Sequence, residues 1–202
     1  MATSARRERT PASPIRYAAA VMDKQNTLFR PGSNPRLNAE IHKYRGLAGF
    51  LKYAQGYFHA ANELVVALEA DYYRMDPHLL VYPVSFLYRH GIELYLKHFA
   101  IALRPEEPFK LTHDLLDNWA MVSAALREHD AVPDDEKGVI DAIGDILAEF
   151  VEIDPKGEEF RYPESRKKDP NLAQTDVVSL EVLHEAMEIV ERHFDRWAAA
   201  VR

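Results

Sequence analysis

The run at 79–102, LLVYPVSFLYRHGIELYLKHFAIA, constrains this chain more than any other stretch. It is the most apolar run in the protein, yet it carries Arg89, His90, Glu93 and Lys97. At 3.6 residues per turn, Val84, Leu87, Gly91, Leu94, His98 and Ile101 fall along one face of a helix. Arg89, Glu93 and Lys97 lie four apart on another face, and His90 precedes Glu93 by three, so these four make a polar stripe. A helix apolar on most sides belongs in the middle of a bundle. Charges on it need partners, because an unpaired buried ion is very costly. The run therefore predicts a central helix whose polar stripe is closed by residues from elsewhere.

The rest of the chain supplies helices to surround it. A first helix is expected from Pro35 or Asn38 to Asp71, with a break near Gly46 or Gly49. Its apolar residues, Leu47, Phe50, Leu51, Ala54, Tyr57, Phe58, Ala61, Leu64, Val65 and Leu68, recur at helical spacing. The central helix is expected to begin near Tyr82, because Pro83 suits only a first turn, and to end at Arg104-Pro105. A third helix at 113–127 has Thr112 as its expected N-cap and Leu115, Trp119, Val122 and Leu126 inward. Pro133-Asp134-Asp135-Glu136 opens a fourth, closed by Asp154-Pro155, with Val139, Ile143, Ile146, Leu147 and Phe150 buried. A last helix at 178–201 repeats Leu183, Met187, Val190, Phe194 and Trp197. Between these, 155–176 has no helical period, and a loop that long inside a compact domain is often functional. The expected fold is an all-α, up-and-down bundle of about five helices at 36–202, preceded by a tail or extended arm at 1–35.

Composition sets outer limits. With 202 residues, 47% of them hydrophobic, the chain can build one domain with a real core. It has no cysteine, which removes disulfides and thiolate metal sites and suits a reducing cytoplasm. A net charge of −7 argues against broad attraction to nucleic acid, though a local basic patch stays open. The charges inside 79–102 argue against a membrane span. Neither GxGxxG nor GxxxxGK[ST] occurs, so dinucleotide and phosphate-loop folds drop out, and no cofactor is expected.

Four readings of the polar stripe compete. In the first, Arg89, Glu93 and Lys97 are a structural ion-pair ladder, each pair contributing about 0.2–0.5 kcal/mol. The second is a metal site using His90, Glu93 and His113-Asp114, which the flanking Arg89 and Lys97 oppose by repelling a cation; no metal is expected. The third is metal-free phosphoryl chemistry: Arg89, His90, Glu93 and His113 are the catalytic candidates, with a histidine moving a proton and an arginine holding a phosphate. Lys97, Asp114, Arg161 and Tyr162 are the accompanying binding candidates. The fourth is a pocket of the same make-up without turnover. His98 reads as a hydrogen-bonded core histidine, and Trp119 and Trp197 read as core anchors.

The run FLYRHGIELYLK at 86–97, followed by Thr112-His113-Asp114-Leu115 and by Phe160-Arg161-Tyr162-Pro163, resembles bacterial proteins of the HEPN-like helical class over about 43–197. That resemblance implies a helical bundle, commonly a homodimer. It also implies either a metal-independent ribonuclease of toxin–antitoxin or defence systems, with RNA or nucleotide and an antitoxin or other protein as partners, or a non-catalytic RNA- or partner-binding module. The class's catalytic arginine, four to six residues and histidine are matched only by Arg36 and His42, while Arg192 and His193 are adjacent. An activity in this chain would instead use Arg89, His90, His113 and Arg161.

Overall fold

The computed structural model describes residues 29, 31–41, 43–71, 73–104, 106, 112–129, 132–165 and 167–201. Most of the expected arm at 1–35, together with His42 and Arg166, lies outside the described residues.

Tyr44–Arg202 is one compact unit. It contains helices α1 (Gly46–Ala70), α2 (Pro77–Leu103), α3 (Leu115–Glu128), α4 (Lys137–Ile153) and α5 (Leu180–Ala200), and a 3-10 turn at Asp134–Glu136 leads into α4. Among the described residues there is no strand, only an isolated antiparallel bridge between Glu164 and Pro170. The expected all-α bundle is the fold that forms.

The centre of the bundle is α2. It packs along α1 and against α3 and α5, while α3 carries α4. Val84, Tyr88, Ile92, Tyr95, Leu96 and Phe99 are fully buried, so α2 is enclosed on more than one face. At Gly91 it packs tightly on α1, since a β-carbon there would lie 2.6 Å from Phe58 Cδ2. Trp119 and Trp197 are both buried, and Trp197 Nε1 donates to Glu136 Oε2 at 2.8 Å, so each is the core anchor its position predicts. His98 is buried too, with Nδ1 3.2 Å from the Leu47 carbonyl oxygen.

The last helix starts at Leu180 rather than Val178, behind its N-cap Ser179, and three other helix starts differ from expectation for local reasons. The first helix begins at Gly46 instead of at 35 or 38, because Gly46 has φ +58° and interrupts any helix entering from upstream. Upstream, Pro35–Leu37 forms only a 3-10 turn. The central helix begins at Pro77 rather than Tyr82: Asp76 is its N-cap, accepting from the His78 amide at 2.9 Å, and Pro77 fills the first helical position. Pro83 therefore lies inside the helix. It is tolerated there because both it and Leu79, whose carbonyl loses an amide partner, are exposed to solvent. The third helix is capped by Asp114 instead of Thr112, since Asp114 Oδ1 accepts from the amides of Leu116 at 2.9 Å and Asp117 at 3.0 Å.

Candidate functional site

Three segments meet beside the middle of α2. The helix contributes Phe86, Arg89, His90 and Glu93; the entry to α3 contributes His113; and the turn after α4 contributes Lys156, Gly157, Glu158 and Arg161. Together they line a cavity of about 310 Å³. The convergence expected of Arg89, His90, Glu93, His113 and Arg161 is present.

The turn after α4 is shaped by Asp154. Its Oδ1 accepts from the amides of Glu158 at 2.8 Å and Glu159 at 3.1 Å, which folds the chain back over the helix end. Gly157 then passes against Arg89 with φ +72°. A β-carbon there would lie 2.5 Å from Arg89 Nη1, so only glycine fits without displacing the guanidinium.

Arg89 is 3% exposed and enclosed by acceptors. Its Nε donates to the Asp154 carbonyl oxygen at 3.2 Å, and Nη2 donates to the His113 carbonyl oxygen at 3.3 Å. Asp154 Oδ2 lies 3.6 Å from Nε and Glu93 Oε2 lies 3.7 Å from Nη1. Burial pushes the guanidinium's pKa below its ordinary value, against the raising influence first of Asp154 and then of Glu93. This buried half of the cluster joins α2, the α4 exit and the α3 entry.

Glu93 links the buried half to the open one. Its Oε1 accepts from Lys97 Nζ at 2.5 Å and from His113 Nδ1 at 2.9 Å. Burial alone would raise the carboxyl's pKa, but the hydrogen bond and charge of Lys97, joined by those of His113, outweigh it and hold the pKa below the usual value. An ionised carboxylate only accepts, so Nδ1 of His113 is the donor of this bond, and in the neutral imidazole Nε2 is the acceptor. The His113 side chain is 81% exposed, whereas that of Glu93 is 4% exposed. The pair is thus a buried orienting carboxylate beneath a solvent-facing imidazole.

His90 is half-buried, edge-on to Tyr57 and stacked near-parallel on Phe86. Burial lowers its pKa, with Glu93 opposing, so the ring favours its neutral form. Arg161 is exposed, with Cζ 5.9 Å from the centre of the Phe86 ring and 5.6 Å from that of Tyr162. Arg161 and Lys156 are the solvent-facing cations of the cavity wall.

Three further binding candidates stand apart from the cavity. Lys97 is engaged by Glu93 and does not line it. Asp114 caps α3. Tyr162 lines an adjoining cleft of about 400 Å³ with Glu159 and Glu164, and Glu158 lines both. Sequence reasoning missed Asp154, Lys156 and Gly157. Their signal was the run Asp154-Pro155-Lys156-Gly157, an aspartate able to bond its own downstream amides followed by a residue suited to positive φ. Among the described residues, no three His, Cys, Asp or Glu side chains are grouped as a metal ion would require. No helix among them is long and apolar enough to cross a membrane.

Compared with family models, curated proteins and solved structures, the chain matches none.

Proposed function

We propose that the cavity beside α2 is a metal-independent phosphoryl-transfer site, with His113 as general base and RNA as the substrate class. The observation that carries this reading is the 2.9 Å contact between Glu93 Oε1 and His113 Nδ1, which leaves Nε2 of a largely exposed imidazole free to take a proton. Arg161 and Lys156 supply positive charge at the same wall for a phosphate and for the charge that builds in the transition state. In this scheme His113 takes the proton of a ribose 2′-hydroxyl as its oxygen attacks the neighbouring phosphorus, and the departing 5′-oxygen is protonated from solvent. Arg89 is a positioning residue: it holds the His113 carbonyl and does not meet substrate. The resemblance of the α2 run, the α3 entry and the 160–163 turn to HEPN-like proteins supports RNA over other phosphate esters. The same resemblance supports a toxin or defence role in a bacterial cytoplasm.

The test is incubation of the full chain with mixed RNAs in EDTA. Cleavage by wild type that falls at least a hundredfold in both His113→Ala and Arg161→Ala is the expected result. Intact RNA with wild type, or cleavage unchanged in both variants, removes the assignment.

A second reading is a non-catalytic homodimerising, RNA- or partner-binding module. It is favoured by the self-sufficiency of the buried half of the cluster, where Arg89 already meets Glu93, Asp154 and two carbonyls. Exposed Tyr53, Val66, Leu79 and Tyr82 on α1 and α2 offer apolar area for such contacts. Sedimentation equilibrium separates the readings: a monomer at all concentrations that copurifies with no protein or RNA counts against the second.

A further inference from the structure

A second cavity, of about 350 Å³, opens between α4 and α5 and reaches Ser85 of α2. Ile146 and Phe150 of α4, Phe160 of the connecting segment, and Leu183, Ala186 and Met187 of α5 give it apolar walls. Glu149, Thr175 and Ser179 also line it nearer solvent, and Ser85 is the polar residue at its buried end. It is 1% exposed, and its Oγ has no hydrogen-bond partner among the described residues. A buried hydroxyl is ordinarily paired, and an unpaired one is a standing cost to the fold. Nothing in the proposed chemistry uses it.

We propose that this cavity binds a small, uncharged, largely apolar molecule carrying one hydrogen-bonding group, which meets Ser85 Oγ. The volume lies within the range of small-molecule sites, about 300–1,000 Å³. Two turns of a partner helix, about 10 Å across and 11 Å long, would not fit inside it. The lining also decides the charge. Glu149 among the wall residues opposes an anion; it is itself exposed, so its charge sits in water, and the buried end at Ser85 has no carboxylate to pair with a cation drawn inside. Ser179 is engaged at the mouth, where its Oγ accepts from the Val182 amide at 3.3 Å as the cap of α5. A hydroxyl at 85 can donate or accept, so the ligand's polar group is a single carbonyl, hydroxyl or amine.

The experiment titrates the full chain with N-phenyl-1-naphthylamine, an uncharged aromatic amine with one N–H whose fluorescence rises on leaving water. The expected result is saturable, single-site enhancement. Ala186→Phe, which fills the cavity, should weaken binding at least tenfold. Val182→Trp, placed at a lining position that is 63% exposed and so carries little risk to folding, should do the same. Ser85→Ala should keep the fold while weakening the probe three- to tenfold, as loss of one hydrogen bond does. Fluorescence that never saturates, or wild-type affinity in both Ala186→Phe and Val182→Trp, overturns the site. Wild-type affinity in Ser85→Ala overturns the assigned polar contact.

Discussion

The backbone of Gly157 presses against the Arg89 guanidinium so closely that a β-carbon at 157 would lie 2.5 Å from Nη1. This contact locks the turn after α4 onto the central helix and makes Lys156 and Arg161 part of the same wall as His113. Gly157→Ala combines a positive φ with that clash, so the expected loss is about 1–3 kcal/mol of unfolding free energy. Urea denaturation checks it. An unchanged midpoint would mean that the turn is free to move off Arg89.

Arg89→Ala removes one side of a buried ionic cluster and leaves Asp154 without its cation, while Glu93 keeps Lys97 and His113. The expected cost is about 3–5 kcal/mol, the range for stranding a buried charge. Asp154→Asn should cost less, because an asparagine oxygen still accepts from the Glu158 and Glu159 amides and Arg89 keeps Glu93. Parallel chemical denaturation of the two variants gives the order; equal losses would argue against Arg89 as the keystone.

His113→Ala should separate activity from stability. Its ring is largely exposed and touches the fold mainly through Glu93, so the unfolding midpoint should barely move. Cleavage, if His113 is the base, should fall by a factor of about 10²–10⁴. A large loss of stability would mark the histidine as a packing residue.

Acid should weaken the protein through Glu93. Its pKa is lowered in the fold, so its stabilisation is fully present above the unfolded carboxyl's pKa and is lost as pH falls through the folded value. His90 adds a loss of the same sign at higher pH. Its folded pKa is also lowered, so the unfolded chain takes up that proton first as pH drops below about 6.5. In Glu93→Gln, the acid-side slope of stability against pH should flatten, measured by urea midpoints from pH 7 to 3.

Glu191 works in the opposite direction. Burial, opposed by the hydrogen bond from Asn62 Nδ2 at 2.9 Å, raises its pKa, so the ionised form is disfavoured by the fold. Its stabilising effect is present below the unfolded pKa and is lost as pH rises through the folded one. Glu191→Gln keeps the Asn62 bond and should raise the melting temperature at pH 7, with the gain shrinking toward pH 4. A gain independent of pH would point to packing instead of charge.

Periodicity alone identified the bundle, the central helix and the inward rows containing Phe58, Trp119, Val122, Leu147, Phe194 and Trp197, because burial of an apolar stripe is dictated by residue spacing. It also marked Arg89, His90, Glu93 and His113 as charges that need company. Helix starts were less accessible. Asp76-Pro77 reads equally as a turn or as a cap with proline at the first position, and only the packed helix shows which. What tertiary structure decided was the division of labour. Arg89 and Glu93 are buried while His113 and Arg161 face solvent, Lys97 is drawn away by Glu93, and Asp154 and Gly157 complete the cluster from a point distant along the chain. Sequence spacing fixes neighbours on one helix, but burial, and with it the protonation preference of each group, depends on which other segment lies across the gap.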